Sequence, residues 1–262
     1  MKKRNTDSNI PKRDFITSLA KGLEILHAFD EQSSLMSVAE LSQKLGISRA
    51  SARRFMLTLE HLGYLSVEGR QYRLTAKVLG LGGAYFSSMP LSTLAQPHLE
   101  KLTKLSTETS SLGVLENNML IFIARAQSKW IMNIGLNVGA QVPAYCTGMG
   151  RVILANMSEE NQKQYLKNTR IEAFNDKTVT SKRKLMEIFA QVKRQGFSIV
   201  DQEIELGLRA IGVPVVVDGK VIASISISSQ VCRANLKRMK EEFLPLLRDA
   251  AVAISSDMSY KY

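Results

Sequence analysis

The sequence predicts an α+β chain in two parts: a small helical unit with a two-stranded arm, then a larger antiparallel sheet with helices against it. Three observations carry this. Two short segments with helical apolar spacing flank Gly46, and two short β-type runs follow about Gly69. Asn117-Asn118 and Asp218-Gly219 each separate apolar runs, and those residue types suit hairpin turns. Helical spacing then alternates with the hairpins: over Gly148–Asn156, after Ser158, from Thr180 or Ser181 to Gly196, and again through Leu236, Met239, Phe243 and Leu247.

Taken in order, Ile16, Leu19, Ala20, Leu23 and Leu26 share one helical face, which predicts a first helix between Thr17 and Phe29. That face would complete a three-helix core and leave Ile25 and Phe29 for a partner helix. Ser37 followed three residues later by Glu40 is a capping box, each side chain satisfying an orphan amide. Val38, Leu41 and Leu45 then form a stripe, and the small Ala39 allows a close helix crossing. Gly46 ends the helix because it adopts positive φ at little cost. Ile47 plugs the turn and Ser48 is a second N-cap. Ala52, Phe55, Leu59 and Leu62 make the next stripe, closed by Gly63 and Tyr64. Leu65-Ser66-Val67 and Tyr72-Arg73-Leu74 about Gly69 read as a β wing.

Two short helices around a tight turn with a wing form a winged helix-turn-helix, whose second helix enters the DNA major groove. That helix carries Arg49, Ser51, Arg53 and Arg54. From Lys44 to Lys77 there are seven Lys/Arg against two Asp/Glu, net +5. An arginine fork suits both guanine edges and phosphates. Ser48 is a further candidate DNA contact at the helix start, and Arg49, Ser51 and Arg53 beside it are assigned to bases. Arg54 is assigned to a phosphate, and Arg70 and Arg73 of the wing to the backbone. The competing reading is a protein-docking winged helix with a solvated basic face. Residues 1–14 form a basic arm with Lys2, Lys3, Arg4, Lys12 and Arg13, read as a solvated tail or as an arm along the DNA.

Residues 76–88 read as a short helix weakened by glycines. Pro90 and Pro97 punctuate a linker, after which Leu94, Leu99, Leu102 and Leu105 favour a connecting helix, and a domain boundary is placed near Met89. Ser111–Glu116 and Leu120–Ala126 form the first hairpin; Lys129–Leu136 and Val142–Tyr145 read as further strands. Phe197–Val200, Gly212–Val217 and Val221–Ile227 complete the sheet.

At 262 residues the chain holds about two domains. Its net charge of +11 is spread as +5 over residues 1–80 and +6 over 81–262, so charge does not locate a DNA site. Cys146 and Cys232 make neither a metal spacing nor a disulfide framework, which suits a reducing cytoplasm. Met-Lys-Lys-Arg-Asn has no apolar stretch behind it, so no signal peptide is expected, and no apolar run is long enough for a membrane span. His27, His61 and His98 all fall before the second domain, and neither a P-loop nor a zinc-protease motif occurs. Cys146 lies in a strand-to-helix turn with no histidine in its domain to act as base. Neither an enzyme nor a cofactor is expected.

The chain resembles the IclR-type transcriptional regulators over nearly its whole length. The resemblance rests on Ser18-Leu19-Ala20-Lys21-Gly22-Leu23-Glu24-Ile25-Leu26, the winged helix-turn-helix, Val142–Arg151, Asp201-Gln202-Glu203 with Gly207–Ala210, and Ala223–Ser228. Arg49–Phe55 and Thr58–Leu65 are similar to the branch that controls aromatic-acid catabolism and responds to protocatechuate, p-hydroxybenzoate or β-ketoadipate. The resemblance implies a DNA-binding domain over 15–77, linker helices over 78–108 and a GAF-like effector domain over 109–262. It also implies double-stranded promoter DNA and a small organic acid as partners, and a homodimer formed through the DNA-binding domains, often paired into a tetramer. Members of this branch are often activators, which brings in RNA polymerase as a partner. A repressor of another catabolic operon with a non-aromatic acid is the alternative. In such a dimer, effector binding would shift the effector domains and, through the linker helices, the spacing of the recognition helices. Matching effector-pocket positions are Ile131, Ile134, Gly148, Met149, Leu208, Ala210, Ser226 and Ser228. Val200, beside Asp201, stands where some relatives carry an acid.

The residues themselves support a pocket there. Thr147-Gly148-Met149-Gly150 precedes a helix whose free amides and dipole would favour a carboxylate. Ser226 and Ser228 are two apart on a strand and so share a face. Arg125, Arg151 and Arg209 could pair with a ligand acid or make structural ion pairs. The glycines could equally serve only helix–sheet packing.

Overall fold

The computed structural model describes residues 11, 13–30, 33–88, 90–129 and 136–259, with side chains for all but 84–88. Ile131, Ile134, most of the basic arm and most of the strand expected over 129–136 lie outside the described residues. Two compact units divide the chain, Met1–Tyr85 and Phe86–Tyr262.

In the first unit α1 (Thr17–Ala28), α2 (Val38–Leu45) and α3 (Arg49–His61) enclose a core, followed by strands β1 (Leu65–Glu68) and β2 (Gln71–Leu74). The capping box forms: Ser37 N donates to Glu40 Oε2 at 2.7 Å and Glu40 N to Ser37 Oγ at 3.3 Å. Gly46 takes φ +63° and Gly69 φ +66°, so both turn glycines occupy the conformation that disfavours other residues. The face assigned to α1 is reversed. Ile25, Ala28 and Phe29 pack against Leu41, Ala52 and Met56, whereas Ile16, Leu19 and Leu23 are 64%, 61% and 49% exposed. Both faces of α1 are apolar, so periodicity locates the helix without orienting it. The α3 stripe is also displaced: Ala52, Met56 and Leu59 are buried, Phe55 packs at the margin and Leu62 is exposed.

Helix α4 (Leu79–Ser88) precedes α5 (Pro90–Ser106). Where a punctuated linker was expected, α5 is one helix of 17 residues containing Pro97. Pro90 sits at the helix start, where its missing amide costs nothing, and Pro97 lies on the exposed side. Leu91, Ala95, Leu99 and Leu102 are buried, while Leu105 is exposed.

The second unit holds strands β3 (Thr109–Glu116), β4 (Met119–Ala126), β5 (Gln141–Pro143), β6 (Ser198–Asp201), β7 (Leu208–Val217) and β8 (Lys220–Gln230). They form one antiparallel sheet ordered β5-β4-β3-β8-β7-β6. Asn117 and Asn118 both have positive φ, as do Asp218 and Gly219, giving the expected two-residue hairpin turns. The strand expected over 142–145 stops at Pro143 and becomes a 3-10 turn over Ala144–Cys146, while β7 begins four residues earlier than expected, at Leu208.

Helix α5 and the C-terminal helix cover one face of the sheet. The latter runs through α9 (Leu236–Arg238), a π turn (Met239–Phe243) and α10 (Leu244–Ser259), with Met239, Phe243 and Leu247 buried and Leu236 exposed. On the other face lie α6 (Gly148–Ala155), α7 (Glu159–Asn168) and α8 (Lys182–Gln195), capped by Thr147, Ser158 and Ser181. Their core includes Tyr145, Met149, Tyr165 and Phe189.

Candidate nucleic-acid interface and effector cavity

Ser48 Oγ accepts from Ser51 N at 3.2 Å, which commits that hydroxyl to the cap of α3. With about 100° per residue, Arg49 and Arg53 fall together at one margin of the outer face and Arg54 about 100° from Arg53. All three are exposed and make no ion pair among the described residues. Ser51 falls on the opposite flank, half-buried, so the structure separates it from Arg53. Ala50 and Leu57 occupy the middle of the exposed face and were not singled out by the sequence reading; the helical wheel alone would have found them.

The other basic residues of this unit are not equivalent. Lys44 Nζ donates to Ala28 O at 2.6 Å and pairs with Asp30 at 2.7 Å, tying α2 to the end of α1. Lys77 Nζ donates to Leu62 O at 2.8 Å and lies 5.2 Å from the Tyr64 ring centre. Those two cations are structural. Arg70 is exposed at the wing tip, and Arg73 pairs loosely with exposed Glu68 at 3.6 Å.

In the second unit, Thr147, Gly148, Met149, Leu208, Ala210, Ser226 and Ser228 all line one cavity. Phe122, Leu136, Cys146, Val200, Glu203 and Ile204 line it as well; Val200 was expected at this pocket from the resemblance, whereas Cys146 and Glu203 were noted without being placed there. The space open to water centres is about 40 Å³, room for a few waters. Ser226 and Ser228 show no hydrogen-bonded hydroxyl partner among the described residues.

The start of α6 walls the cavity on one side and packs closely on the sheet. Thr147 Oγ1 accepts from Gly150 N at 2.8 Å. A Cβ on Gly150 would collide with the Ala144 carbonyl, and one on Gly212 would lie 2.9 Å from Gly148 C and 3.0 Å from Met149 N. The glycines let the helix press on the sheet, and of the amides at the helix start that of Gly150 is taken by the Thr147 cap.

Two of the three candidate arginines are consumed. Arg151 grips Glu203 through two 2.7 Å bonds and donates to Tyr145 O at 2.6 Å. Glu203 also accepts from Val179 N at 2.9 Å, so this cavity-lining carboxylate is neutralised. Arg209 holds Asp201 at 3.0 and 2.9 Å and donates to Ala234 O at 2.7 Å. Burial opposes charge on Asp201, but the bonds from Arg209 and Gln202 outweigh it and keep the carboxyl below its ordinary value. Burial pushes the Cys146 thiol up to about 12, and its Sγ donates to Pro143 O, so it is no nucleophile at neutral pH. Among the described residues no His/Cys/Asp/Glu group could hold a metal, and no helix is long and apolar enough to cross a membrane.

Comparison with known proteins joins the two halves. The IclR helix-turn-helix domain matches residues 18–69, and the bacterial transcriptional regulator IclR C-terminal model matches residues 83–256. The chain belongs to the IclR family. It is therefore a transcriptional regulator with a DNA-binding helix-turn-helix and an effector-binding domain, and not an enzyme. The Pca regulon regulatory protein of Pseudomonas putida is 38% identical over 95% of this chain and 84% of its own length. The p-hydroxybenzoate hydroxylase transcriptional activator of Acinetobacter baylyi is 32% identical over 94% of this chain and 93% of its own. These two relatives support placement in the aromatic-acid branch. A solved protein from Rhodococcus sp. RHA1, described as a transcriptional regulator, is 34% identical with a TM-score of 0.82, covering 95% of this chain and all of its own.

Proposed function

We propose that this regulator binds promoter DNA as a homodimer in the cytoplasm and activates transcription when a small carboxylic acid, aromatic or from the β-ketoadipate route, occupies the second unit. The observation that carries the DNA half is the free arginine face of α3. Arg49 and Arg53 read base edges, with Ala50 and Leu57 beside them suited to thymine methyl groups. Ser51, on the far flank of α3, contributes at most a phosphate contact. Arg54 meets a phosphate, and Arg70 and Arg73 hold the flanking backbone. The effector half is supported by the cavity that gathers Met149, Leu208, Ser226 and Ser228, and by the names of the Pseudomonas and Acinetobacter relatives. The α1 face bearing Leu19 and Leu23 supports the dimer. Effector and DNA must then change each other's affinity by the same factor.

The test is binding of a promoter fragment and of random DNA by fluorescence anisotropy across a salt series. Arg53→Ala should cost about 1–3 kcal/mol on the promoter and far less on random DNA. Arg70→Ala should weaken both and lower the salt slope by about one. Equal losses on both DNAs for Arg53→Ala would remove it from readout.

A further inference from the structure

One polar row crosses five strands on the α6 side of the sheet. The register pairs Ser198 with Gly212, Gly212 with Ser226, Ser226 with Ser111, and Ser111 with Arg125. Directly paired residues share a face, and Gly212 faces α6. Arg125 therefore points to the side where Ser226 lines the cavity. Its neighbour Phe122 lines that cavity too, although residues three apart on a regular strand face opposite ways. The reason is a bulge: Leu112 pairs with Ala124 but Gly113 with Phe122, leaving Ile123 as the extra residue. Bulges of this kind re-aim side chains beside binding sites.

Arg125 is half-buried and its Nε is a buried atom without a hydrogen-bond partner. Its guanidinium makes no ion pair among the described residues, in contrast to Arg151 and Arg209. Burial alone pulls its pKa below the ordinary value, with no anion to offset it. Arg125 does not itself line the cavity but stands on the same sheet face, two strands from Ser226, and a half-buried cation without a countercharge is costly unless something brings one.

We propose that Arg125 is the carboxylate anchor of the effector. The ligand body then enters between Phe122 and Met149 by widening a cavity that as it stands admits only a few waters, and a hydroxyl or second polar group meets Ser226 or Ser228. Arg125 and Ser226 are two strand spacings apart, about 10 Å between backbones, a gap that an arginine and a carboxylate together span. This rests on the effector reading above and narrows its ligand to an anion held from the sheet, not from the α6 amides.

The test uses full-length protein and calorimetric binding of 4-hydroxybenzoate, protocatechuate and adipate, each against its neutral amide, with anisotropy on promoter DNA in parallel. At least one acid should bind the wild type and exceed its amide about 10-fold or more. Arg125→Gln should weaken that acid about 10- to 100-fold and leave the amide within about 3-fold. Arg125→Lys, which keeps the charge and loses the fork, should fall between. The unliganded Arg125→Gln protein should melt no lower than wild type, since no structural pair is broken. An acid that binds Arg125→Gln as tightly as wild type overturns the proposal. So does equal loss of acid and amide with a lowered melting temperature, or a wild type that binds no acid in the panel. An acid that needs Arg125 yet leaves promoter affinity unchanged upholds the anchor and sinks the regulator's effector reading; one that shifts promoter affinity equally in both proteins does the reverse.

Discussion

Arg151 and Glu203 have side chains only 3% and 8% exposed, and their contact is a two-bond fork. A pair buried this deeply gains little over an apolar pair, but losing one partner strands the other charge. Glu203→Gln should therefore destabilise the second unit by about 3–5 kcal/mol in urea unfolding. The glutamine oxygen can still accept from Val179 N and one Arg151 nitrogen, but its amide nitrogen would face the other, so the loss reports the charge together with one arm of the fork. A change below about 1 kcal/mol would mean that water reaches Arg151 after all. The sequence had offered Arg125, Arg151 and Arg209 as equals. Glu203 lies 52 positions from Arg151 and Asp201 lies 8 from Arg209. Neither pairing leaves a mark in local spacing, so only the fold separates the two spent arginines from the free one.

At the scale of elements, legibility follows locality. The Ser37–Glu40 box, the Ser48 cap, the Asn117-Asn118 and Asp218-Gly219 turns and the Gly196 stop each act within a few residues, and all form where the sequence places them. Which face of α1 is buried depends on partners in α2 and α3, and an apolar helix gives periodicity nothing to choose with. Pro97 misleads for a related reason: it lies at the surface, where water can satisfy the carbonyl it leaves unpaired, and the buried Leu91, Ala95, Leu99 and Leu102 hold the helix together across it. The α6–sheet contact is tertiary as well. Its glycines were read as an anion cradle or as a helix–sheet contact, and the second is seen: Gly212 stands against the Gly148 carbonyl carbon at a distance that admits no methyl group. Gly212→Ala should thus cost about 1–3 kcal/mol by overpacking and widen or distort the cavity that α6 walls. Thermal unfolding with and without a bound acid would show both effects; an unchanged melting temperature would mean that α6 slides freely on the sheet.

For the whole molecule, the decisive question is what covers α1. Ile16, Leu19 and Leu23 present adjoining apolar surface to solvent, while the opposite face of the same helix is fully used in the core. Burying such a stripe against its own copy removes apolar area at about 25 cal/mol per Å², and a two-fold contact presents two recognition helices to two half-sites. Leu19→Glu with Leu23→Glu should convert the protein to monomers in sedimentation, because four carboxylates would then face one another across the interface. Promoter affinity should fall about 100-fold or more, since the second half-site loses its effective concentration. Acid binding should persist, because the cavity is built entirely from the second unit. A monomer that keeps full promoter affinity would show that one recognition helix suffices. A dimer that survives both substitutions would move the interface away from α1 and leave its apolar face to another partner.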